Sequence, residues 1–210
     1  MVIVITGASS GFGKATAEML AARGHMVFGI ARREMHHGQI EYLQCDVRDF
    51  EAVKALIDTV ITKQGKIDVL INNAGMGIGG SLELATTEEI NLQMDTNFMG
   101  CVNLCRAVLP YMRKAGKGRI INLSSIGGLM GLPYQGFYSA SKFAIEGFSE
   151  ALSAEVKRFG IDISIVEPGD FATNFTASRS FFKSSVGFQE RGPDKLISCP
   201  GMTSKELVCE

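Results

Sequence analysis

The sequence lacks any uninterrupted apolar run long enough to cross a bilayer. It also lacks a surplus of either charge, because 21 Lys and Arg residues stand against 22 Asp and Glu, for a formal net charge of -1. Attraction to nucleic acid or to an anionic membrane needs a basic surplus or patch. The first residues lack the basic segment and the small-residue cleavage site of a signal peptide. We therefore expect a cytoplasmic protein with neither a nucleic-acid nor a membrane partner.

Cysteine is sparse and unpatterned. The chain has five cysteines, an odd number, and no CxxC motif, so the sequence predicts no disulfide framework. Cys101 and Cys105 are four residues apart and share one face of a predicted helix. They could form a metal or redox pair, but two small hydrophobic residues in a packing face is the favoured interpretation. His36 and His37 have no further ligand at metal spacing, so no metal site is predicted.

The residues that are present suit one globular domain. The 210 residues are 46% hydrophobic and 20% charged, which is typical of a soluble protein with a real core. Short apolar runs alternate with helical patterns, which predicts a doubly wound α/β sheet with right-handed crossovers. The predicted strands are Val2–Ile5, Met26–Ile30, Tyr42–Gln44, Val69–Ile71, Arg119–Leu123 and Ile161–Val166. The predicted helices are Gly13–Arg23, Glu51–Lys63, Thr87–Met112 and Phe137–Phe159.

Glycine is the one marked excess, with 24 residues, and a glycine-rich turn follows the first predicted strand. The segment from Thr6 to Gly13 reads TGASSGFG and leads directly into a helix. Gly7 suits the tight turn, Gly11 lets the backbone approach a pyrophosphate, and Gly13 lets the helix pack close to the strand. The helix N-terminus also favours phosphate. This context predicts dinucleotide binding, with an ordinary glycine-rich turn as the alternative.

The end of the second predicted strand bears on the choice of dinucleotide. A site that prefers NAD places Asp or Glu there to bind the ribose 2′-OH, whereas this chain has Ala31 followed by Arg32 and Arg33. An arginine fork can grip a 2′-phosphate, which an acid would repel. The sequence therefore predicts NADP(H) over NAD(H), with Arg32 as the main contact and Ser9 and Arg33 assisting. In the alternative, both arginines point into solvent.

A tyrosine and a lysine lie one helical turn apart near the start of the last predicted helix. Tyr138 and Lys142 form a YxxxK motif on one helix face. A phenol is a weak acid near neutral pH, and a nearby ammonium group favours its phenolate. Ser125 follows the fifth strand, thirteen positions before Tyr138. Ligands bind at the carboxyl ends of such strands, so the three residues form a candidate catalytic group, although Tyr-Lys spacing alone is a common accident on solvated helices.

Together these motifs resemble the short-chain dehydrogenase/reductase family, over about residues 1–174. The matching segments are Thr6–Gly13 for TGxxxGxG, Cys45–Val47, Asn72–Gly75 for NNAG, Asn97, Ser125, Tyr138–Lys142 and Pro168–Gly169. The resemblance implies a single doubly wound Rossmann-type domain with a parallel sheet and helices on both faces. It also implies an oxidoreductase that interconverts a carbonyl and a secondary alcohol with a nicotinamide cofactor.

The resemblance assigns catalytic roles to four residues. Tyr138 would be the general acid of carbonyl reduction and the base of alcohol oxidation. Ser125 would hydrogen-bond the substrate oxygen. Lys142 would support Tyr138 and bind the nicotinamide ribose, and Asn97 would hold a water that links Lys142 to solvent.

The resemblance also implies cofactor contacts. Asp46 would accept from the adenine amino group, with backbone contacts from Val47, and NNAG would line the ribose. The full set of implied contacts is Gly7, Ser9, Ser10, Gly11, Phe12, Gly13, Arg32, Arg33, Asp46, Val47, Asn73, Ala74, Gly75, Tyr138, Lys142, Pro168, Gly169, Phe171 and Thr173.

Two features leave the function open. The predicted pocket rim is largely apolar, which favours a lipophilic carbonyl or alcohol: Met76, Gly77, Ile126, Met130, Leu132 and Phe137. After residue 174 no strand is predicted, so residues 1–174 are expected as the core and 175–210 as a shortened, irregular lid and tail. An active NADP(H)-dependent oxidoreductase therefore competes with a non-catalytic NADP(H)-binding protein and with an inactive truncated member. The complete catalytic set favours the enzyme.

A homodimer is expected by the same resemblance, through the helices that carry Asn97 and Tyr138. The apolar stripes on these helices fit packing onto the sheet equally well. They comprise Phe98, Val102, Cys105 and Val108 on the first helix, and Ile145, Phe148, Leu152 and Val156 on the second.

Overall fold

Six parallel strands form the central sheet of the computed structural model, which describes residues 1–36, 38–169 and 180–182. In chain order the strands are β1 Val2–Thr6, β2 Met26–Ala31, β3 Glu41–Gln44, β4 Val69–Asn72, β5 Ile78–Gly79, β6 Gly118–Leu123, β7 Ile161–Val166 and β8 Ser180–Phe181. The main sheet has the order β3-β2-β1-β4-β6-β7. The doubly wound α/β prediction is confirmed, and the strand order reverses between β1 and β4, where such sheets bind ligands.

Helices cover both faces of this sheet. They are α1 Gly11–Ala22, α2 Phe50–Gln64, α3 Thr87–Met94, α4 Gly100–Ala115 and α5 Gly136–Val156. Because successive strand residues point to opposite faces, Val2 and Val4 of β1 pack into the cluster that includes α2, α4 and α5. Ile3 and Ile5 pack into a second cluster that includes α1. The buried, apolar character of residues 2–5 in β1 follows from this double coverage.

Local signals set the helix ends that the sequence predicted. The Asp49 side chain accepts from the Ala52 N–H at 3.0 Å and caps α2 at its start. Gly65 closes α2 with a left-handed φ of 72°. Thr86 and Glu89 form a reciprocal capping box at the start of α3.

The predicted single helix from Thr87 to Met112 is wrong. It divides into α3, a π-helical turn over Asp95–Met99, and α4, which continues to Ala115. A π-helical turn inserts one residue without breaking the apolar pattern, so periodicity gives no warning of it. The turn carries Asn97 and directs its side chain at the loop that follows β4.

The expectation of no strand after residue 174 is also wrong. Ser180–Phe181 forms β8, which pairs with β5 in parallel. Phe182 follows it and is 1% exposed, with its ring 6.2 Å from that of Phe137. A two-residue strand is specified by its distant partner, so it has no local signature. Residues 170–179 and 183–210, including the predicted contacts Phe171 and Thr173, lie outside the described residues.

The apolar stripes of α4 and α5 pack mostly onto the sheet. Cys105, Val108, Leu152 and Val156 are buried in the cluster that includes the sheet, and Ile145 is 2% exposed. This outcome agrees with sheet packing, which was one of the two interpretations of those stripes. Among the residues that the structure describes, no helix has the length and apolar character needed to cross a membrane.

Candidate active site

The glycine-rich turn and the NNAG segment meet where the strand order reverses. The hydroxyl of Thr6 accepts from the N–H groups of Asn73 and Ala74 at 3.0 and 2.9 Å. The Asn73 amide in turn donates to the carbonyl oxygen of Thr6 at 2.9 Å. These bonds fix the carboxyl ends of β1 and β4 against each other. Two separate sequence motifs therefore form one rigid edge.

The backbone at this edge has the geometry of a dinucleotide cradle. Gly7 and Gly11 have left-handed φ values of 66° and 52°, which favour glycine. A Cβ on Gly13 would lie 2.3 Å from the carbonyl oxygen of Gly7, so α1 packs against the turn with no room for a side chain. A Cβ on Gly11 would meet no atom within 4 Å, and the Ser10 side chain does not cap α1. The helix N-terminus and the open space at Gly11 fit a bound pyrophosphate.

The two arginines after β2 make different contacts. The guanidinium of Arg33 donates to the carbonyl oxygen of Ser9 at 3.1 Å and so reaches the glycine-rich turn. Arg32 is exposed, and its backbone carbonyl accepts from the Gln44 side chain at 2.9 Å. Its charge helps to lower the pKa of Asp46. Arg33, which was expected only to assist, is thus the arginine that contacts the turn.

Asp46 lies after β3 and is paired within its own loop. Arg48 donates to both carboxylate oxygens, and these bonds hold the pKa of Asp46 below its ordinary value. The backbone N–H of Arg48 donates to the same carboxylate at 3.0 Å. Asn103 of α4 donates to the carbonyl oxygen of Val47 at 3.0 Å. The loop implied for adenine is therefore held by α4, and its acid already has a cationic partner.

Ser125 and Tyr138 come together across a short turn after β6. The Ser125 hydroxyl accepts from the Gly127 N–H at 3.2 Å, which leaves its own proton available to donate. A Cβ on Gly127 would lie 3.2 Å from Cε1 of Tyr138, so the turn packs directly on the tyrosine ring. The backbone N–H of Ile126 donates to the carbonyl oxygen of Pro168, which ties this turn to the segment after β7.

Lys142 is buried one turn further along α5. Its Nζ lies 5.8 Å from the centre of the Tyr138 ring and donates to the carbonyl oxygen of Leu123 at 2.7 Å. Burial lowers the pKa of Lys142 to about 8, against the opposing charges of Cys101 and Glu146. Nζ would also lie 3.9 Å from a Cβ on Gly75. Lys142 therefore faces both the tyrosine and the NNAG segment.

Asn97 acts as a clamp between α5 and the loop after β4. Its Oδ1 accepts from the Met76 N–H at 2.8 Å, and its Nδ2 donates to the Met76 carbonyl oxygen and to the Ser141 hydroxyl. Ser141 in turn donates to the carbonyl oxygen of Tyr138 at 2.6 Å. The sequence reasoning missed Ser141, although it lies inside YxxxK. The signal that could have identified it was a polar residue at a helix position that faces the protein interior, immediately before Lys142.

Behind the site, a buried polar chain joins four elements. The Asn72 side chain donates to Oδ1 of Asn122 at 2.9 Å, and Nδ2 of Asn122 donates to the Ser149 hydroxyl at 2.8 Å. Asn72 also donates to the Cys105 sulfur at 3.3 Å. A hydrogen bond with Cys101, together with burial, raises the pKa of the Cys105 thiol. Asn72 and Asn122 thus link β4, β6, α4 and α5.

Comparisons with known proteins agree with this geometry. A family model described as short chain dehydrogenase matches residues 1–182. A 3-ketodihydrosphingosine reductase of Bacteroides thetaiotaomicron is 60% identical over 98% of this chain and 76% of its own length. Human 17-beta-hydroxysteroid dehydrogenase type 1 is 38% identical over 83% of this chain and 58% of its own length.

A solved structure has the same fold. The short-chain dehydrogenase from Streptomyces avermitilis matches with a TM-score of 0.82 and 37% identity, over 93% of this chain and 78% of that one. The match of the family model covers most of the chain. The chain therefore belongs to the short-chain dehydrogenase/reductase family of oxidoreductases.

Proposed function

We propose that this chain reduces the ketone of a long-chain lipid, such as a 3-keto sphingoid base, with NADPH as the hydride donor. The observation that carries the proposal is the buried group of Ser125, Tyr138 and Lys142 at the carboxyl edge of the sheet. The 60% identity to a protein named 3-ketodihydrosphingosine reductase supports the substrate class. The exposed apolar side chains of Ile126, Leu129 and Met130, just after Ser125, suit an alkyl chain.

In this mechanism Ser125 and Tyr138 both hold the substrate oxygen. The Gly127 N–H orients the Ser125 hydroxyl by donating to it, so the serine proton points away and can bind the carbonyl oxygen. A reduced nicotinamide cofactor, which the glycine-rich turn and the NNAG segment would hold, would supply the hydride when bound. The Tyr138 hydroxyl gives its proton to the carbonyl oxygen, which completes the alcohol. The tyrosine is left as a phenolate that must be reprotonated.

Lys142 and Asn97 support that proton transfer. The Lys142 ammonium group, held by the Leu123 carbonyl oxygen, lies close enough to Tyr138 to stabilise the phenolate. Asn97 keeps the Met76 segment and Ser141 in place, and so fixes the start of α5. We expect Tyr138→Phe to lose nearly all turnover while still binding NADPH. Substantial turnover in that variant would remove Tyr138 from the acid role.

The preference for NADPH rests on charge at the end of β2. Ala31 is buried where an acid would bind a ribose 2′-OH, and two arginines follow it. Arg33 already lies on the glycine-rich turn, and Arg32 is free to swing toward a 2′-phosphate. We expect Arg32→Ala and Arg33→Ala each to lower kcat/KM for NADPH more than for NADH. Equal losses with both cofactors, or a wild-type preference for NADH, would refute the assignment.

A substrate panel tests the reaction. NADPH oxidation is followed by absorbance with 3-ketodihydrosphingosine, with shorter homologues of the same keto amino alcohol, and with the keto form of a 17β-hydroxysteroid. We expect kcat/KM to rise with alkyl length, because each buried CH₂ contributes about 0.8 kcal/mol. Equal rates for short and long homologues would contradict an alkyl-binding rim. NADPH binding with no oxidation of any ketone would support a binding protein instead.

We further propose that the chain forms a homodimer through the outer face of α5. Phe143 is 46% exposed on this face. Exposed large apolar residues of this kind commonly mark an interface. Phe143→Glu should shift the protein to a monomer in sedimentation experiments. A wild-type monomer at micromolar concentration would contradict the dimer.

A further inference from the structure

Two buried polar atoms behind Lys142 have no hydrogen-bond partner among the described residues. They are the hydroxyl oxygen of Ser124 and Oε1 of Glu146. Ser124 is 4% exposed, whereas Glu146 is partly exposed with this oxygen buried. Buried polar groups are nearly always satisfied, so two orphans in one place require an explanation.

Both atoms face the same small space. A Cβ on Gly128 would lie 2.4 Å from the Ser124 hydroxyl oxygen and 3.2 Å from Oε1 of Glu146. The same Cβ would lie 3.2 Å from the backbone carbonyl carbon of Lys142. The absence of a side chain at Gly128 thus opens this space between β6 and α5. The Ser124 hydroxyl therefore lies in this space, whereas the Ser125 hydroxyl accepts from the turn beside Tyr138.

Glu146 continues the catalytic face of α5. Tyr138, Lys142 and Glu146 follow one another at intervals of four residues, so their side chains lie along one helix face. Lys142 is buried, and the backbone oxygen that it contacts belongs to Leu123, the residue before Ser124. The carboxylate of Glu146 thus lies on the side of Lys142 opposite to Tyr138.

Within residues 1–36, 38–169 and 180–182, few charged groups surround Lys142. The groups that face it are Tyr138 and Glu146 from α5, Cys101 from α4, the Leu123 carbonyl oxygen from β6 and the NNAG segment at Gly75. Of these groups, the carboxyl group of Glu146 is the one that ordinarily carries a full negative charge near neutral pH. Burial alone would favour the neutral amine.

We propose that Glu146, together with Ser124, is a positioning residue that keeps Lys142 in its ammonium form beside Tyr138. The carboxylate supplies negative charge that offsets the burial of the lysine, and the Ser124 hydroxyl faces the same space from the β6 side without a hydrogen bond to it. This electrostatic support is consistent with the direction in which Glu146 moves the pKa of Lys142. The catalytic half of the inference rests on the proposed function, whereas the titration of Lys142 does not.

The first experiment measures the pH titration of the Lys142 side chain in the absence of substrate. The full chain is labelled with ¹³Cε-lysine, and the Lys142 resonance is assigned by its loss in Lys142→Arg. The pH at which it titrates is then compared between wild type and Glu146→Gln. We expect the midpoint to fall by about half a pH unit or more in the variant. An unchanged midpoint overturns the proposal.

Three further variants test specificity. Glu150→Gln removes an exposed charge from the same helix, one turn further on, and should leave the midpoint unchanged. Glu146→Asp should restore part of the shift, and Ser124→Ala should lower the midpoint less than Glu146→Gln does. If Glu150→Gln shifts the midpoint as much as Glu146→Gln, the effect is general surface charge and the proposal fails. Thermal melting confirms that each variant is folded.

The second experiment measures catalysis. In ketone reduction, the alkaline fall of kcat/KM should begin at lower pH in Glu146→Gln, with little change at neutral pH. If Glu146→Gln lowers the titration midpoint of Lys142 but leaves the pH at which kcat/KM begins to fall unchanged, the catalytic half of the proposal is wrong. A wild type that titrates as expected but reduces no ketone refutes the proposed function and leaves the electrostatic half supported.

Discussion

Gly13 offers a sharp test of how the cofactor cradle is built. Replacing it with alanine adds one methyl group inside α1, where alanine is ordinarily the better helix former by about 1 kcal/mol. That methyl group would lie 2.3 Å from the Gly7 carbonyl oxygen and 2.8 Å from its carbonyl carbon. Both atoms are backbone, so no side-chain rotation can relieve the contact.

The net effect can be estimated from these contacts. Overpacking of this kind costs about 1 to 3 kcal/mol. The same methyl group would lie 2.4 Å from Nδ2 of Asn73, which donates to the Thr6 carbonyl oxygen. Losing that bond costs about 1 kcal/mol more. After the gain in helix propensity, Gly13→Ala should be destabilising by about 1 to 3 kcal/mol, and it should move the turn that cradles the pyrophosphate.

Gly147→Ala is the matched control. Gly147 lies inside α5, and a Cβ there would meet no atom within 4 Å. The same substitution should therefore be stabilising by up to about 1 kcal/mol. Urea denaturation gives both free energies of unfolding, with the oligomeric state of each variant checked by sedimentation, and a fluorescence titration gives NADPH affinity. A Gly13→Ala protein as stable as wild type, with unchanged NADPH binding, would refute the close-packing account.

Three further changes probe separate parts of the fold. Asp49→Ala removes the cap of α2 and should lower the free energy of unfolding by about 1 kcal/mol in urea denaturation. Phe182→Ala empties a buried site against Phe137 and should cost about 3 kcal/mol by the same measurement, while a loss below about 1 kcal/mol would show that β8 is not docked. Because burial lowers the pKa of Lys142 from 10.5 to about 8, the unfolded chain binds more protons in that interval, so wild-type stability should rise with pH across it. Lys142→Met lacks this rise, and parallel stability curves for the two proteins between pH 8 and 10.5 would contradict the burial of a charged lysine.

The regular elements were predictable because their signals are local. The apolar run at the start of the sequence predicts a strand, and the structure has β1 at Val2–Thr6. The glycine at position 65 predicts a helix end, and in the structure Gly65 ends α2 with a left-handed φ. The π-helical turn at Asp95–Met99 and the strand at Ser180–Phe181 had no such signal. The first preserves the apolar period of the helix that it interrupts. The second exists only through its partner at Ile78–Gly79.

The site was predictable to the level of its motifs but not of their contacts. The four-residue spacing of Tyr138 and Lys142 predicted that they share one helix face, and both lie in α5 in the structure. Spacing could not show that Arg33, rather than Arg32, reaches the carbonyl oxygen of Ser9, since neighbouring residues at a strand end diverge by side-chain rotation. Nor could it show the orphaned oxygens of Ser124 and Glu146, which depend on the path of the turn at Gly128.

The polar side chains at this edge mostly bind backbone rather than one another. The Thr6 hydroxyl holds the N–H groups after β4, Asn97 holds both backbone groups of Met76, and Ser125 holds the Gly127 N–H. Each bond joins a loop to a neighbouring element, so the loops around Tyr138 are ordered by the chain itself. Binding then costs little conformational entropy in these loops, and more of the contact energy remains for affinity. The positions of the groups that we propose as catalytic are therefore set by the fold before any substrate binds, which the proposed proton transfer would require.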